Sequence, residues 1–371
     1  MRTEIINEQG LEIIFDKTLP QAGYLNNLLS SSYEIDVVNK DSILDFTTVF
    51  ESNTIAPYVS PCVDGVPIYA EGGTRFAIKL PYVKMEDAIT ACDVFNTTLF
   101  IDGKLRRWST SAADDTARYN LGKLKIIAAH RRAVSNLLEQ QTVSLLDLGG
   151  IDTSSAYSNG EYIQFPRESA LTTYGTSGAT GTKAWDTSTG KPLDTIQEVA
   201  DLMRNTSGAL LTDIVMNQAE WLAFRSNPQI TAIATSPANT PWAAQMPSPL
   251  PFIYNGVSVF KLDNSTTGSI NIHVYEDVYQ KYDTSGGTPK YVNTKFMPAK
   301  RALFIGRKNG EVQIGKAWGK IQSKQALKTG QTNSRVFVYE WEEKDSEQII
   351  TQTAPLMFGD ANTFFGVQVL T

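Results

Sequence analysis

Residues 111–150, SAADDTARYNLGKLKIIAAHRRAVSNLLEQQTVSLLDLGG, decide the fold. Ser111-x-x-Asp114 is a capping-box-like start, and Asp114 and Asp115 in the first turn suit the positive end of a helix dipole. Leu121, Leu124, Ile127/Ala128, Arg131, Val134, Leu138 and Leu145 then recur at three- and four-residue steps, and Gly149-Gly150 is a stop signal. The stripe predicts one helix over about 112–146, roughly 50 Å at 1.5 Å per residue, long for a globular helix. Such a helix serves as a structural beam or as a long amphipathic core helix. Gly122 within it, about 1 kcal/mol worse than Ala, marks a bend or a close contact.

Downstream, residues 151–190 are rich in Ser, Thr and Gly and read as loop-rich, including the run from Gly175 to Lys183, read as a flexible surface loop. An αβα unit follows. Pro192 opens a helix with Leu193, Ile196, Val199 and Met203 on one face; Leu210–Met216 is a buried strand; Asn217-x-x-Glu220 caps a second helix that Pro228 closes. Strands then dominate: 256–262, 270–279, 302–305 and 312–317, and a hairpin of 318–326 and 335–341 joined at Lys328–Gln331. The apolar ending, Phe364 to Leu370, must be docked in a sheet, since an unpaired strand of that kind aggregates. The class is α+β.

Upstream, Pro57, Pro61, Pro67 and Pro81 punctuate a β-rich stretch over 55–95. Gly72-Gly73 lies between Val66–Ala70 and Arg75–Leu80, which reads as a long two-stranded ribbon with its turn near Glu71–Thr74. A lone ribbon is marginal in water, so this one needs a partner domain or subunit. Residues 1–38 carry too little apolar surface for a core, admit one short helix near Gln21–Leu29, and are ordered only by lying on something else.

The chain is poor in catalytic equipment. It holds two histidines, His130 and His273, and two cysteines, Cys62 and Cys92, none with metal-ligand spacing. Walker-type loops and the G-x-S-x-G elbow are absent. Asp114-Asp115 and Glu342-Glu343 are adjacent pairs whose side chains diverge, so they make poor dyads and good solvated faces. No catalytic, cofactor-binding or metal-binding residue is assigned. The net charge of −6 argues against a broad nucleic-acid grip but not against enclosing nucleic acid. No apolar run approaches the ~18 residues of a membrane span, no apolar signal segment follows Met1-Arg2-Thr3-Glu4, and the cysteine usage suits synthesis in a reducing cytoplasm.

Specific residues carry a family resemblance. Pro57-Tyr-Val-Ser-Pro-Cys-Val-Asp-Gly65, with Gly72-Gly73 and Pro81-Tyr-Val-Lys84, resembles the matching segment of the major capsid proteins of lambda-like tailed bacteriophages. So does the ending, Thr353–Met357 followed by Phe365–Leu370, with weaker similarity at Phe15-Asp16, Trp221–Arg225 and Ala299–Gly306. The resemblance implies the Hong Kong ninety-seven capsid fold: an N-terminal arm (1–38) lying over a neighbour, an extended E-loop (39–95), a peripheral domain (96–150 and 295–345) with the long helix as its spine, and an axial domain (151–294 and 346–371). It implies a head-shell subunit forming hexamers and pentamers, made in the host cytoplasm and resident in the virion. Its partners would be other copies, a scaffold protein, a portal, a decoration protein at three-fold positions and enclosed double-stranded DNA, with no cofactor and no membrane. Intersubunit contacts are expected at Phe15, Tyr58, Pro61, Arg75, Phe76 and Lys84, intrachain packing being the alternative for each. Rival readings are an encapsulin-like compartment, a tail-associated or secreted β-rich binding protein, and a carboxylate-based hydrolase.

Overall fold

The structure, a computed structural model, describes residues 23–29, 33–39, 42–50, 72–90, 100–101, 104–105, 112–154, 160–235, 257–264, 268–283, 290–343 and 346–371. Along the chain run α1 (Tyr24–Leu29), β1 (Glu34–Asp36), β2 (Ile43–Phe50), β3 (Gly72–Lys79), β4 (Val83–Thr90), the short pair β5 (Phe100–Ile101) and β6 (Lys104–Leu105), and α2 (Ala112–Leu148). Next come β7 (Gly150–Asp152), β8 (Tyr162–Gln164), α3 (Ser169–Thr176), α4 (Pro192–Ser207), β9 (Leu210–Met216), α5 (Gln218–Ser226) and α6 (Pro228–Thr235). The last part holds β10 (Val257–Asn264), β11 (Gly268–Tyr275), β12 (Val278–Asp283), β13 (Lys290–Lys295), β14 (Arg301–Arg307), β15 (Ile314–Trp318), α7 (Lys324–Thr329), β16 (Val336–Glu343), β17 (Ser346–Thr353), β18 (Pro355–Gly359) and β19 (Phe364–Gln368). Contacts divide the chain into one unit of 1–42, 80–143 and 315–358 and another of 43–79, 144–314 and 359–371.

The beam expected over 112–146 is α2, and Gly149 ends it with φ +69°, a left-handed turn a side chain would resist. Its buried face differs from the one the stripe suggested. Lys123, Ile127, His130, Val134, Leu138, Gln141 and Leu145 are buried, whereas Leu121, Leu124 and Arg131 are half-exposed. Polar side chains with specific partners occupy places that hydrophobicity alone would give to leucine.

In the first unit, β17 is the middle of a three-stranded antiparallel sheet, β16-β17-β4. Ile321, Ala326, Phe337, Tyr339 and Ile350 form a small core there. A second sheet, β1-β15-β18, has β1 parallel to β15. The hairpin expected from 318–326 and 335–341 does not form: 324–329 is α7, capped by Ser323, and β16 pairs instead with β17. Gly330 at φ +74° closes α7, so the Gly read as a strand turn is a helix stop.

In the second unit, a five-stranded sheet ordered β10-β11-β9-β14-β19 carries the main core. Ile214, Met216, Ile272, Phe304, Phe365 and Val367 from its strands join Val199, Met203, Trp221 and Phe224 from the helices. The αβα unit is α4-β9-α5 as the sequence predicts. The terminal strand β19 is antiparallel to β14, which removes its aggregation hazard. The 175–183 run is folded, not a free loop: Gly175, in the last turn of α3, lies against the Gly366 carbonyl, and the Lys183 ammonium donates to Ser177 and to the Tyr174 carbonyl while lying 4.5 Å from the Tyr174 ring.

A two-stranded ribbon is present, but not the one expected: Val66–Ala70, read as one of its strands, lies outside the described residues. Its strands are β2 and β3, running from Ile43↔Lys79 to Phe50↔Gly72, so Gly72-Gly73 lies in a strand and not in a turn. β4 leaves the ribbon and joins β17. Residues 295–314 belong with the five-stranded sheet through β14, and 346–358 belong with the first unit through β17 and β18.

Candidate assembly surfaces and the pins behind them

The buried face of α2 presents a row of polar anchors. Lys123, His130 and Gln141 are seven and eleven residues apart, two and three helical turns, so they line up within ~20° of one another. The Lys123 ammonium, fully buried, donates to Glu340 at 2.6 Å and Glu347 at 3.0 Å, pinning α2 to β16 and β17. Burial raises the Glu347 carboxyl above its ordinary range. His130 bridges Asp87 of β4 at 2.9 Å and Thr351 of β17 at 2.7 Å. The Gln141 amide oxygen accepts from the Met357 backbone at 3.0 Å. Every one of these groups is charged or bidentate and buried, and sliding the helix by one turn would orphan them together.

Glu139 on α2 holds the start of the chain. Its two oxygens accept from the backbone amides of Leu25 and Asn26, each at 2.8 Å, placing a carboxylate on the open amides at the start of α1. A Cβ at Gly23 would come 2.5 Å from Glu139 Oε2, which is why that approach needs glycine. Further on, β1 pairs with β15, and Arg335 reaches Asp36 at 2.7 Å and also Glu34. Residues 23–29 and 34–36 therefore dock on their own chain.

In the second unit Arg167 seals the end of α2. Its guanidinium donates to Asp147, Ala361 and Phe364 carbonyls at 3.0 Å each and to Leu145 and Leu146 carbonyls at 3.4 Å. It thereby satisfies open carbonyls at the helix terminus and ties the approach to β19 to them. Burial depresses Arg167 to about 10 despite Asp147 nearby. Asp147 in turn accepts from Arg301 Nε at 2.6 Å; burial still pushes its carboxyl upward. In the central sheet Asp213 accepts from His273, Asn271 and Thr212. Burial raises Asp213, but those three bonds outweigh it and hold the carboxyl at about 2.

Asp87, His130 and Thr351 are spaced like an orienter–base–hydroxyl triad, yet Thr351 is fully buried, so no substrate reaches its hydroxyl. Among the described residues no cluster could hold a metal ion, and no helix is long and apolar enough to cross a membrane.

Of the expected contact residues, Phe15, Tyr58 and Pro61 lie outside the described residues. Arg75 and Phe76 lie in β3 opposite Thr47 and Phe46. Lys84, in β4 opposite Gln352, is exposed and 3.1 Å from Glu86. Further candidates for contact are exposed apolar side chains: Leu327 (73%), Tyr33 (62%) and Trp341 (56%) in the first unit, and Tyr291 (69%) with Val278 on the β12–β13 ribbon in the second. Aromatic side chains at the surface are characteristic of interface cores.

Among the described residues, the buried charged groups pin strands and chain segments to α2 and to the central sheet. The chain matches the family model "Phage major capsid protein E" over residues 50–369 and belongs to that family. Comparison with curated proteins gives no match. Among solved structures it is similar to the putative capsid protein of a prophage of E. coli CFT073, with 17% identity, 99% of this chain and 100% of that one covered, and a TM-score of 0.61. It is also similar, at TM-score 0.47 and 9% identity, to the capsid of Myoviridae phage XM1, covering 95% of this chain and 93% of that one. A holo-encapsulin complex from Synechococcus elongatus PCC 7942 matches at TM-score 0.42 and 9% identity, covering 96% and 89%. The fold is the Hong Kong ninety-seven capsid fold, and the role is that of a virion shell subunit that self-assembles into capsomers.

Proposed function

We propose that the subunits form hexamers and pentamers that close into a head enclosing double-stranded DNA, without enzymatic activity of their own. In this reading the first unit is the peripheral domain with α2 as its spine, the second is the axial domain, and the β2–β3 ribbon is the E-loop. The observation that carries it is the two-stranded ribbon β2–β3, which cannot be stable alone and so gains its core from a neighbour. The acidic net charge supports a wall that does not adhere to packed DNA. A scaffold protein and a portal act during assembly in the host cytoplasm, and a decoration protein or the extended arms reinforce the shell non-covalently at three-fold positions.

Electron microscopy of the expressed chain, alone and with its neighbouring genes, tests this: shells, tubes or capsomers are expected, and their persistent absence refutes it. Nucleic acid inside purified particles separates a phage head from an encapsulin-like compartment. A ladder of cross-linked oligomers on a denaturing gel would overturn non-covalent reinforcement.

A further inference from the structure

Three elements of the first unit meet at one imidazole. His130 comes from the middle of α2, Asp87 from β4 and Thr351 from β17. The geometry suits one neutral tautomer: Nε2–H donates to Asp87 at 2.9 Å and Nδ1 accepts from the Thr351 hydroxyl at 2.7 Å. A second proton would convert Nδ1 into a donor aimed at that hydroxyl. Thr351 would then have to turn its own proton elsewhere, and its side chain is fully buried. An unplaced donor in such a site is costly. The charged surroundings do not welcome the proton. Among the described residues Asp87 is the carboxylate bonded to the ring, and most of its side chain is in water. β17 contributes the neutral Thr351; Lys123, two turns away on α2, is already matched by Glu340 of β16 and Glu347 of β17. Arg131 and Arg132 adjoin His130 on its own helix.

We propose that His130 is a proton-operated latch: neutral, it fastens β4 and β17 to α2, and protonated, it lets β4 go. β4 pairs along its whole length with β17, so acid would loosen β4 from the first unit before the rest of that unit unfolds. The direction agrees with the ring's acidity, since burial lowers the His130 pKa and Asp87 only partly restores it. A group whose folded pKa is lowered binds its proton less well closed than open, so the closed state is favoured at neutral pH and loses ground as pH falls below the ordinary histidine value of 6.5. At pH 5.5, one unit below that value, opening can rise by at most about tenfold, the limit for a closed form that takes no proton. The latch belongs to the folded subunit, so its test does not require a closed shell.

The experiment is amide hydrogen exchange of the full-length chain, followed at residues 83–90 at pH 7.5 and 5.5 and corrected for intrinsic exchange. Wild type should lose protection there by several-fold, up to about tenfold. H130Q, which can offer Asp87 a donor and Thr351 an acceptor at every pH, should show no such step. A step that persists in H130Q, or no step in wild type, overturns the latch. Should H130Q fail to fold, ring-carbon hydrogen exchange of His130 in wild type, read by mass spectrometry, gives its own titration midpoint. A midpoint below 6.5 is required, and one at or above it overturns the proposal.

Discussion

Replacing Arg167 with Met should weaken the second unit sharply while leaving its apolar volume nearly filled. The guanidinium makes three bonds at 3.0 Å, to carbonyls of Asp147, Ala361 and Phe364, and two longer ones. Hydrogen bonds to a charged group contribute roughly 1.5–3 kcal/mol each, so the three good ones sum to about 4.5–9. Against this stands the cost of burying the cation. Its fall from 12.5 to about 10 corresponds to roughly 3 kcal/mol. Removal should therefore cost about 1.5–6 kcal/mol, a span that contains the roughly 3–5 kcal/mol seen when one partner of a buried charged network is deleted. Asp147 keeps Arg301, so no carboxylate is stranded, and the loss is that of the capped helix end. For a unit of this size the shift in melting temperature is roughly 10 °C. Calorimetry or urea unfolding of unassembled subunits reads it free of lattice contacts. R167K, with a compact ammonium that reaches fewer carbonyls, should lose about half as much. An R167M chain within about 1 kcal/mol of wild type would refute the reading of Arg167 as the clasp between the end of α2 and β19.

Three further outcomes follow from the buried charges. E139Q should cost about 1–2 kcal/mol locally and speed proteolysis within the first 40 or so residues, because one of the two amides it caps loses its acceptor; an unchanged digestion pattern counts against the docked arm. K123M should lose about 3–5 kcal/mol at pH 7, since Glu340 and Glu347 are left without their shared cation. Burial raises the Glu347 carboxyl, and without the ammonium nothing offsets that, so stability is present at low pH and lost as pH rises; part of the deficit should vanish at pH 5, and a deficit equal at both pH values contradicts the pairing. D213N removes a carboxyl held at about 2 against an ordinary 3.8, a group that adds stability above pH 4 and gives it up as pH falls toward 2. Its acid-unfolding curve should flatten in that window, with about 2 kcal/mol lost at neutral pH.

What was legible in the sequence follows from how each element is stabilised. The long helix, the α4-β9-α5 unit and the docked ending are written in periodic apolar residues, and periodicity needs no knowledge of the partner. The hairpin placed at 318–341 failed because strand pairing is a property of two segments. Ser323 and Gly330 are equally good punctuation for a helix, and β17 competes for β16 with eight paired positions. The expected ribbon turn failed for the same reason: a Gly-Gly pair flanked by apolar runs reads as a turn until β2 is seen opposite β3.

The pins were harder still. In the sequence His130 stands out only as one of two histidines, and Lys123 carries no signal of its own, because a lysine on a helix is normally solvated. Yet one signal was present: Lys123, His130 and Gln141 recur at seven and eleven residues, in phase with Ile127 and Val134. Polar residues that keep step with the apolar stripe are either errors of patterning or groups with buried partners, and a folded shell subunit does not keep three aligned errors. That phase relation fixes which face of α2 is inward more firmly than the leucines do. A hydrophobic face tolerates rotation by a residue, whereas an ammonium between two carboxylates does not.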